Sequence, residues 1–289
     1  MQGGRPSRTA LATARARAYH QIAPDPRVFT DPLAVAITGH SADELTDLSV
    51  AAIADASPTD VALQRLRRLS IAGRARFGED TIADAVASGV RQAVILGAGL
   101  DTFAYRNPHQ ELRVFEVDHP STQLWKRQLL ADAGITVPDS LTFTPIDFEN
   151  ATLASGLAAA GFDRSQPAVF IWPGVVMYLT LDSIRATLRY IAEQATPVRL
   201  VLDYLLPFAE AAPELRAQLE VRAARVASVG EPWLSYFTTA EMAAELRAAG
   251  FDTIEDHATP EALAGYVGRA ELGPQPDMLH SHLIRAGRG

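Results

Sequence analysis

No cysteine occurs in the 289 residues, so disulfides, thiolate metal sites and cysteine nucleophiles are excluded and the fold must rest on its apolar core. Lysine is almost missing as well: Lys126 is the single lysine among 26 basic residues. No run of 18 or more apolar residues is present, and the start shows no basic segment followed by an apolar one. Neither a membrane span nor a secretory signal is predicted. The basic residues are scattered, not clustered, and the net charge is −8, which argues against nucleic acid as the partner. With 48% hydrophobic and 21% charged residues, the expectation is an ordinary globular protein of the cytoplasm, without membrane partners. A single α/β domain of this length buries about 75% of its potential surface. Residues 1–6 carry nothing that would order them, and Ser7 or Thr9 could cap a first helix at 10–21. Further helices are expected at 33–38, 42–56, 60–77 and 81–88, through Ala104-Tyr105-Arg106, at 121–131 with Leu124 and Leu129–Leu130 inward, at 175–179, and at 240–249 with Thr238 as its cap and Gly250 ending it.

What the chain does have is one organising stretch, Ala93-Val94-Ile95-Leu96-Gly97-Ala98-Gly99-Leu100-Asp101-Thr102. Val94, Ile95 and Leu96 read as a parallel strand covered on both faces, followed by a glycine turn and a helix start. Gly97 and Gly99 would let backbone approach a ligand closely. A second run, Val114-Phe115-Glu116-Val117-Asp118, ends in a carboxylate about 20 residues past the first glycine, the spacing at which an acidic residue grips a ribose.

A third glycine is lacking. Thr102 stands in its place, with Asp101 before it. At roughly 4 Å a carboxylate would repel a diphosphate by several kcal/mol at the effective dielectric of a protein surface. The pattern therefore suits a nucleoside ligand with positive charge and no phosphate. S-adenosylmethionine fits that description and NAD does not.

Gly97-Ala98-Gly99-Leu100-Asp101-Thr102, Phe115-Glu116-Val117-Asp118 and the later Pro232-Trp233-Leu234-Ser235-Tyr236-Phe237-Thr238 resemble the S-adenosylmethionine-dependent methyltransferases related to leucine carboxyl methyltransferase and to the tetracenomycin polyketide carboxyl methyltransferase. The resemblance runs from about Ser7 to about Arg285. It implies one Rossmann-like domain with a seven-stranded sheet whose last strand is antiparallel. Residues 1–89 would form a helical lid over the cofactor and residues 90–289 the core, with an insertion at about 205–232 shaping the acceptor pocket.

The resemblance also assigns roles. Arg74 would pair with the methionine carboxylate, with Arg76 as competitor, since residues two apart on a helix cannot both point inward. A basic residue of the first helix, Arg15 or Arg17, would assist, though both also read as solvated charges. Gly97, Ala98 and Gly99 would form the cofactor turn, Asp118 would hold the ribose, and Asp147 and Phe148 would hold and cover the adenine. Trp172 would either stack on the cofactor or plug the sheet. Arg106 reads as an ion pair to Glu116 or Asp118, or as a cation near the ligands. Tyr178, Tyr204 and Tyr236 are the other candidates for holding a small-molecule acceptor. Pro173 stands where the leucine-specific branch carries a glutamate, so the resemblance does not extend to a protein C-terminus as acceptor. His280 and His282 share a strand face with no third ligand near them in sequence, and no metal is expected.

A carboxylate acceptor is already ionised at pH 7, which accounts for the lack of an evident catalytic base. A phenol or alcohol acceptor would instead need a histidine, His20 or His119, within reach. Binding of the cofactor without methyl transfer is the remaining alternative.

Overall fold

The computed structural model describes residues 8–24, 26–54, 56–148, 150–228, 230–273 and 279–289. Residues 1–6 and the cap candidate Ser7 lie outside them. Three helices come first: α1 (Arg8–Ile22), α2 (Ala42–Ala51) and α3 (Pro58–Ala87). There follow β1 (Gln92–Leu96), β2 (Arg113–Asp118), α4 (Pro120–Asp132), β3 (Leu141–Pro145), α5 (Leu153–Ala159), β4 (Ala168–Trp172), α6 (Leu181–Ala192) and β5 (Val198–Leu205). The chain then forms α7 (Pro213–Ser228), α8 (Thr239–Ala249), β6 (Thr253–Ala258), α9 (Thr259–Val267) and β7 (Ser281–Arg288).

The strands make one seven-stranded sheet in the order β3-β2-β1-β4-β5-β7-β6, parallel except for β7, which runs antiparallel to both neighbours. This is the expected methyltransferase sheet. Every residue of β1 and of β4 is buried, as continuous apolar strands require when helices cover both faces. Val94, Leu96, Phe115, Phe170 and Trp172 pack on one face, and Ala93, Ile95, Val114, Val169 and Ile171 on the other.

Several elements differ from the sequence reading, each for a local reason. No α-helix follows β1 within the described residues; Phe103–Tyr105 is a single 3-10 turn, because Asp101 accepts the Phe103 N–H at 2.8 Å and closes a tight turn instead. The two helices expected at 60–77 and 81–88 are one. Gly78 suggests a break, but in α3 a Cβ there would lie 3.3 Å from Ile171 Cγ2, and one at Gly73 would lie 2.2 Å from Leu263 Cδ2. Both glycines mark close packing inside a helix, which starts on a Ser57–Asp60 capping box with Pro58 in its first turn. The short helices expected at 33–38 and 175–179 reduce to 3-10 turns at Ala36–Thr38 and Val176–Tyr178. Leu124, expected inward on α4, is 73% exposed, whereas Leu130 is buried as expected. His280 precedes β7 instead of lying on it.

α3 has two neighbourhoods. Its C-terminal half, with Phe77, Ile82 and Ala85, joins the core on one face of the sheet. Its N-terminal half borders the open cavity at the sheet's carboxyl edge. No helix among the described residues is long and apolar enough to cross a membrane.

Candidate active site

The carboxyl ends of β1 to β4 open into a cavity of about 2010 Å³ that α1, α3 and α7 complete. Gly97 and Gly99 bend its floor with φ of +65° and +46°. The space a side chain would need there is taken by the protein itself. A Cβ on Gly97 would meet Val175 Cγ2 at 2.5 Å, and one on Gly99 would meet the Cβ of Ala10 at 3.3 Å. Ala98 lies between them and is buried.

Asp118 closes β2 beneath this bend. Its Oδ2 accepts the Gly99 N–H at 2.6 Å and its Oδ1 accepts the His119 N–H at 2.7 Å, so the carboxylate fixes the turn. Burial raises its pKa, opposed by those two backbone bonds. Each oxygen keeps a lone pair, so hydroxyl donors can still be accepted. Asp147 follows β3 and accepts from Asn150 Nδ2 at 2.7 Å; beside it Phe148 is 60% exposed to the cavity. Asp101 also lines the cavity. Trp172 lines it as well, but with 2% exposure it belongs chiefly to the core, where the sequence left the choice open.

The donor chemistry tests the ligand class. Three carboxylates, Asp101, Asp118 and Asp147, stand at the ends of three adjacent strands, and no helix N-terminus follows β1 to receive phosphate. A cationic nucleoside fits this floor and a pyrophosphate does not.

Arg74 and Arg76 point apart, as two helical residues at that spacing must. Arg74 faces the cavity, pairs with Asp203 Oδ2 at 3.1 Å and lies against Gly174, where a Cβ would sit 2.8 Å from its Nη2. Asp203 Oδ1 accepts the Gly174 N–H, which ties β5 to the bend after β4. Arg76 turns outward onto the Tyr266 ring at 4.2 Å and donates to the Val28 carbonyl. Of the first helix's pair, Arg17 is buried, donates to the Leu100 carbonyl and pairs with Asp31 at 3.0 Å, while Arg15 reaches His40 at 3.0 Å. Arg17 is not the solvated charge that one reading allowed.

The acceptor candidates divide. Tyr178 lines the cavity. Tyr204 is buried, with its hydroxyl on Asp256 at 2.8 Å, and Tyr236 packs on Phe208 at 4.9 Å; neither reaches the cavity wall. Arg106 is also outside it, and pairs with neither Glu116 nor Asp118. Its guanidinium makes two bonds to Glu79 and a contact to Asp31 at 3.3 Å, because the missing helix after β1 leaves it facing α3. Glu116 pairs instead with the single lysine, Lys126, at 2.7 Å, both fully buried; burial pushes the Glu116 carboxyl up to about 7 against the pull of that cation. His20 is buried away from the cavity. His119 lines it, but its Nδ1 is 2.7 Å from Ser121 Oγ at the start of α4.

The sequence reading missed a group of arginines. Arg67 lies seven residues before Arg74 on α3, hence on the same face, and that spacing could have disclosed it. Arg222 and Arg225 come from α7, together with Gln218 and Val221 on one helical stripe. Arg222 stacks over Trp233 at 5.3 Å. Burial lowers the Arg67 guanidinium, and lowers that of Arg222 to about 10; the charges of Arg74 and Arg225 add to the first, and those of Arg67 and Arg74 to the second.

The family model described as leucine carboxyl methyltransferase matches residues 10–192. YktD of Bacillus subtilis (strain 168), provisionally named an S-adenosyl-L-methionine-dependent methyltransferase, is 31% identical over 280 residues, covering 90% of this chain and 91% of YktD. A protein of Mycobacterium sp. (strain JLS) with the same provisional name is 35% identical over 201 residues, 65% of this chain and 63% of its own length. Among solved structures, a provisionally named methyltransferase from Thermobifida fusca YX superposes with a TM-score of 0.59 at 17% identity, covering 99% of this chain and 96% of that one. The strand-end carboxylates, the sheet order and these matches agree: the chain belongs to the leucine carboxyl methyltransferase family.

Proposed function

We propose that this chain is an O-methyltransferase that esterifies a carboxylate of a small molecule, with S-adenosylmethionine as donor. The observation that carries the reading is the charge content of the cavity, acidic at the strand ends and cationic where α3 and α7 contribute Arg67, Arg222 and Arg225. Bound S-adenosylmethionine supplies a methyl carbon on a cationic sulfur, which keeps the C–S electron pair as the new C–O bond forms, so that no proton moves.

The residues of this chain then have binding and alignment to do. Asp118 takes the ribose hydroxyls, Asp147 and Phe148 the adenine, and Arg74 the methionine carboxylate, with Asp203 holding the guanidinium in place. Gly97, Ala98 and Gly99 form the floor, with Trp172 behind it. The helices α1, α2 and α3 would exclude water. Alignment of oxygen and methyl carbon can supply on the order of 7–11 kcal/mol, and a carboxylate needs no base. Tyr178, which lines the cavity, would touch the acceptor.

The presence of His119 in the cavity favours a second reading, methylation of a phenol or alcohol with that imidazole as base. One experiment separates the readings. Small acids and phenols from the native host are incubated with the protein and methyl-labelled donor, and the product is treated with mild alkali. A methyl ester releases labelled methanol, which is the expected result, and His119→Ala leaves its formation within about threefold. Alkali-stable label, lost by about a hundredfold or more in His119→Ala, would establish the second reading. Donor binding with no label transferred to any fraction would mean a binding protein.

A further inference from the structure

We infer that the acceptor carries a second anionic group, distinct from the carboxylate that is methylated, and that Arg67, Arg222 and Arg225 hold it. The inference rests on the methyltransferase reading and specifies its substrate class: an apolar body with a reacting carboxylate at one end and a further anion at the other.

Three observations carry it. First, no carboxylate lies within ion-pairing distance of these three guanidinium groups and none of the three groups makes a hydrogen bond, among the described residues, whereas Arg17 and Arg74, which line the same cavity from α1 and α3, each have a carboxylate. Cations gathered from two helices without a counter-charge repel one another, and an anionic ligand relieves that repulsion. The guanidinium values of Arg67 and Arg222 are lowered first by burial and then by neighbouring cations, Arg74 among them.

Second, Arg67 is set back along α3 from the arginine assigned to the donor, although Arg74 is near enough to add to the repulsion at Arg67 and Arg222. Arg67 precedes Arg74 by seven residues, about 10 Å along the helix at 1.5 Å per residue. Arg74 lies at Gly174, at the end of β4, where the donor's amino-acid part belongs. A reacting carboxylate clamped by three guanidinium groups would also be a poor nucleophile, since binding that stabilises the ground state more than the transition state slows the reaction. The clamp therefore suits a group that does not react. Third, the same cavity carries apolar lining, with Leu63, Ile71, Met177 and Leu234, and Trp233 lies under Arg222 with a buried indole N–H that has no partner among the described residues.

The test uses two probes with the same body and different charge. Protein saturated with S-adenosylhomocysteine is titrated with 8-anilinonaphthalene-1-sulfonate and with neutral N-phenyl-1-naphthylamine. The sulfonate is expected to bind at least about tenfold tighter, as charge-assisted hydrogen bonds allow. Arg67→Met with Arg222→Met is expected to remove that preference while leaving the neutral probe within about twofold. A preference absent from the native protein, or unchanged in the double variant, would overturn the inference. If the double variant does not fold, Arg222→Gln alone should cut the preference at least about threefold, and no reduction overturns the inference equally. Displacement of the sulfonate by inorganic phosphate rather than by adipate identifies the second anion as a phosphate-type group, and the reverse as a carboxylate. Failure of S-adenosylhomocysteine to bind would count against the methyltransferase reading alone, because the two probes can still be compared without it.

Discussion

Asp118 serves the fold and the proposed donor site with the same two oxygens. It clamps the bend by accepting the Gly99 and His119 N–H groups, and the lone pairs left over face the cavity. Asp118→Ala therefore removes charged hydrogen bonds to the donor and loosens the bend together. Calorimetric titration with S-adenosylmethionine should show an affinity loss of roughly 10- to 150-fold, equal to about 1.5–3 kcal/mol. Unchanged affinity would mean that the nucleoside does not lie over β2. At this scale the sequence was most legible where chemistry and position coincide. Asp118, Asp147, Phe148 and Arg74 were all read from motif register, and all reach the cavity. Arg106, Tyr204 and Tyr236 were chosen for chemistry alone, and tertiary contacts claim them elsewhere. Glu79 and Asp31 take the first, Asp256 the second and Phe208 the third.

Among the elements, those with explicit start and stop signals were legible. α8 begins on a Thr238–Glu241 capping box and ends with Gly250 in the left-handed conformation, as its sequence spells out. No residue of this helix lines the cavity, so its cap tests stability separately from binding. Thr238→Ala should cost about 1 kcal/mol, read as a lower urea midpoint with unchanged slope and unchanged donor affinity. The helix expected after β1 was not legible as absent, because Ala104-Tyr105-Arg106 has good helix propensity; only the Asp101 side chain on the Phe103 N–H decides against it. α3 was misread in the opposite direction, since a glycine that serves close packing looks the same in one sequence as a glycine that stops a helix. The α7 insertion carries no motif, and its contribution of Arg222 and Arg225 becomes visible only when α3 is brought opposite to it.

For the whole molecule, the attachment of the N-terminal layer depends on proton concentration. His20 is wholly buried on α1, where its Nε2 accepts the N–H groups of Val28 at 3.1 Å and Phe29 at 3.4 Å, while its Nδ1 lies 3.1 Å from Arg68 Nη1. Accepting at Nε2 requires the neutral imidazole, and burial, reinforced by Arg68 and Arg27, lowers its pKa to about 4. A histidine with a depressed folded pKa contributes stability that is present above its unfolded value of 6.5 and is lost as pH falls through 4. This group alone should remove roughly 2 kcal/mol of stability between pH 7.5 and pH 5. Denaturation at the two pH values, compared with His20→Gln, which can still accept from Val28, should show a smaller acid loss in the variant. Equal losses would place the acid sensitivity elsewhere.

The Glu116–Lys126 pair has a consequence for chemical labelling. Because the one side-chain amine of this chain is sealed between α4 and the sheet with 1% exposure, acylating reagents cannot reach it while those layers stay together. Acetylation at Lys126 then becomes a clock for opening of the β2–α4 layer, free of the background that other lysines contribute in most proteins.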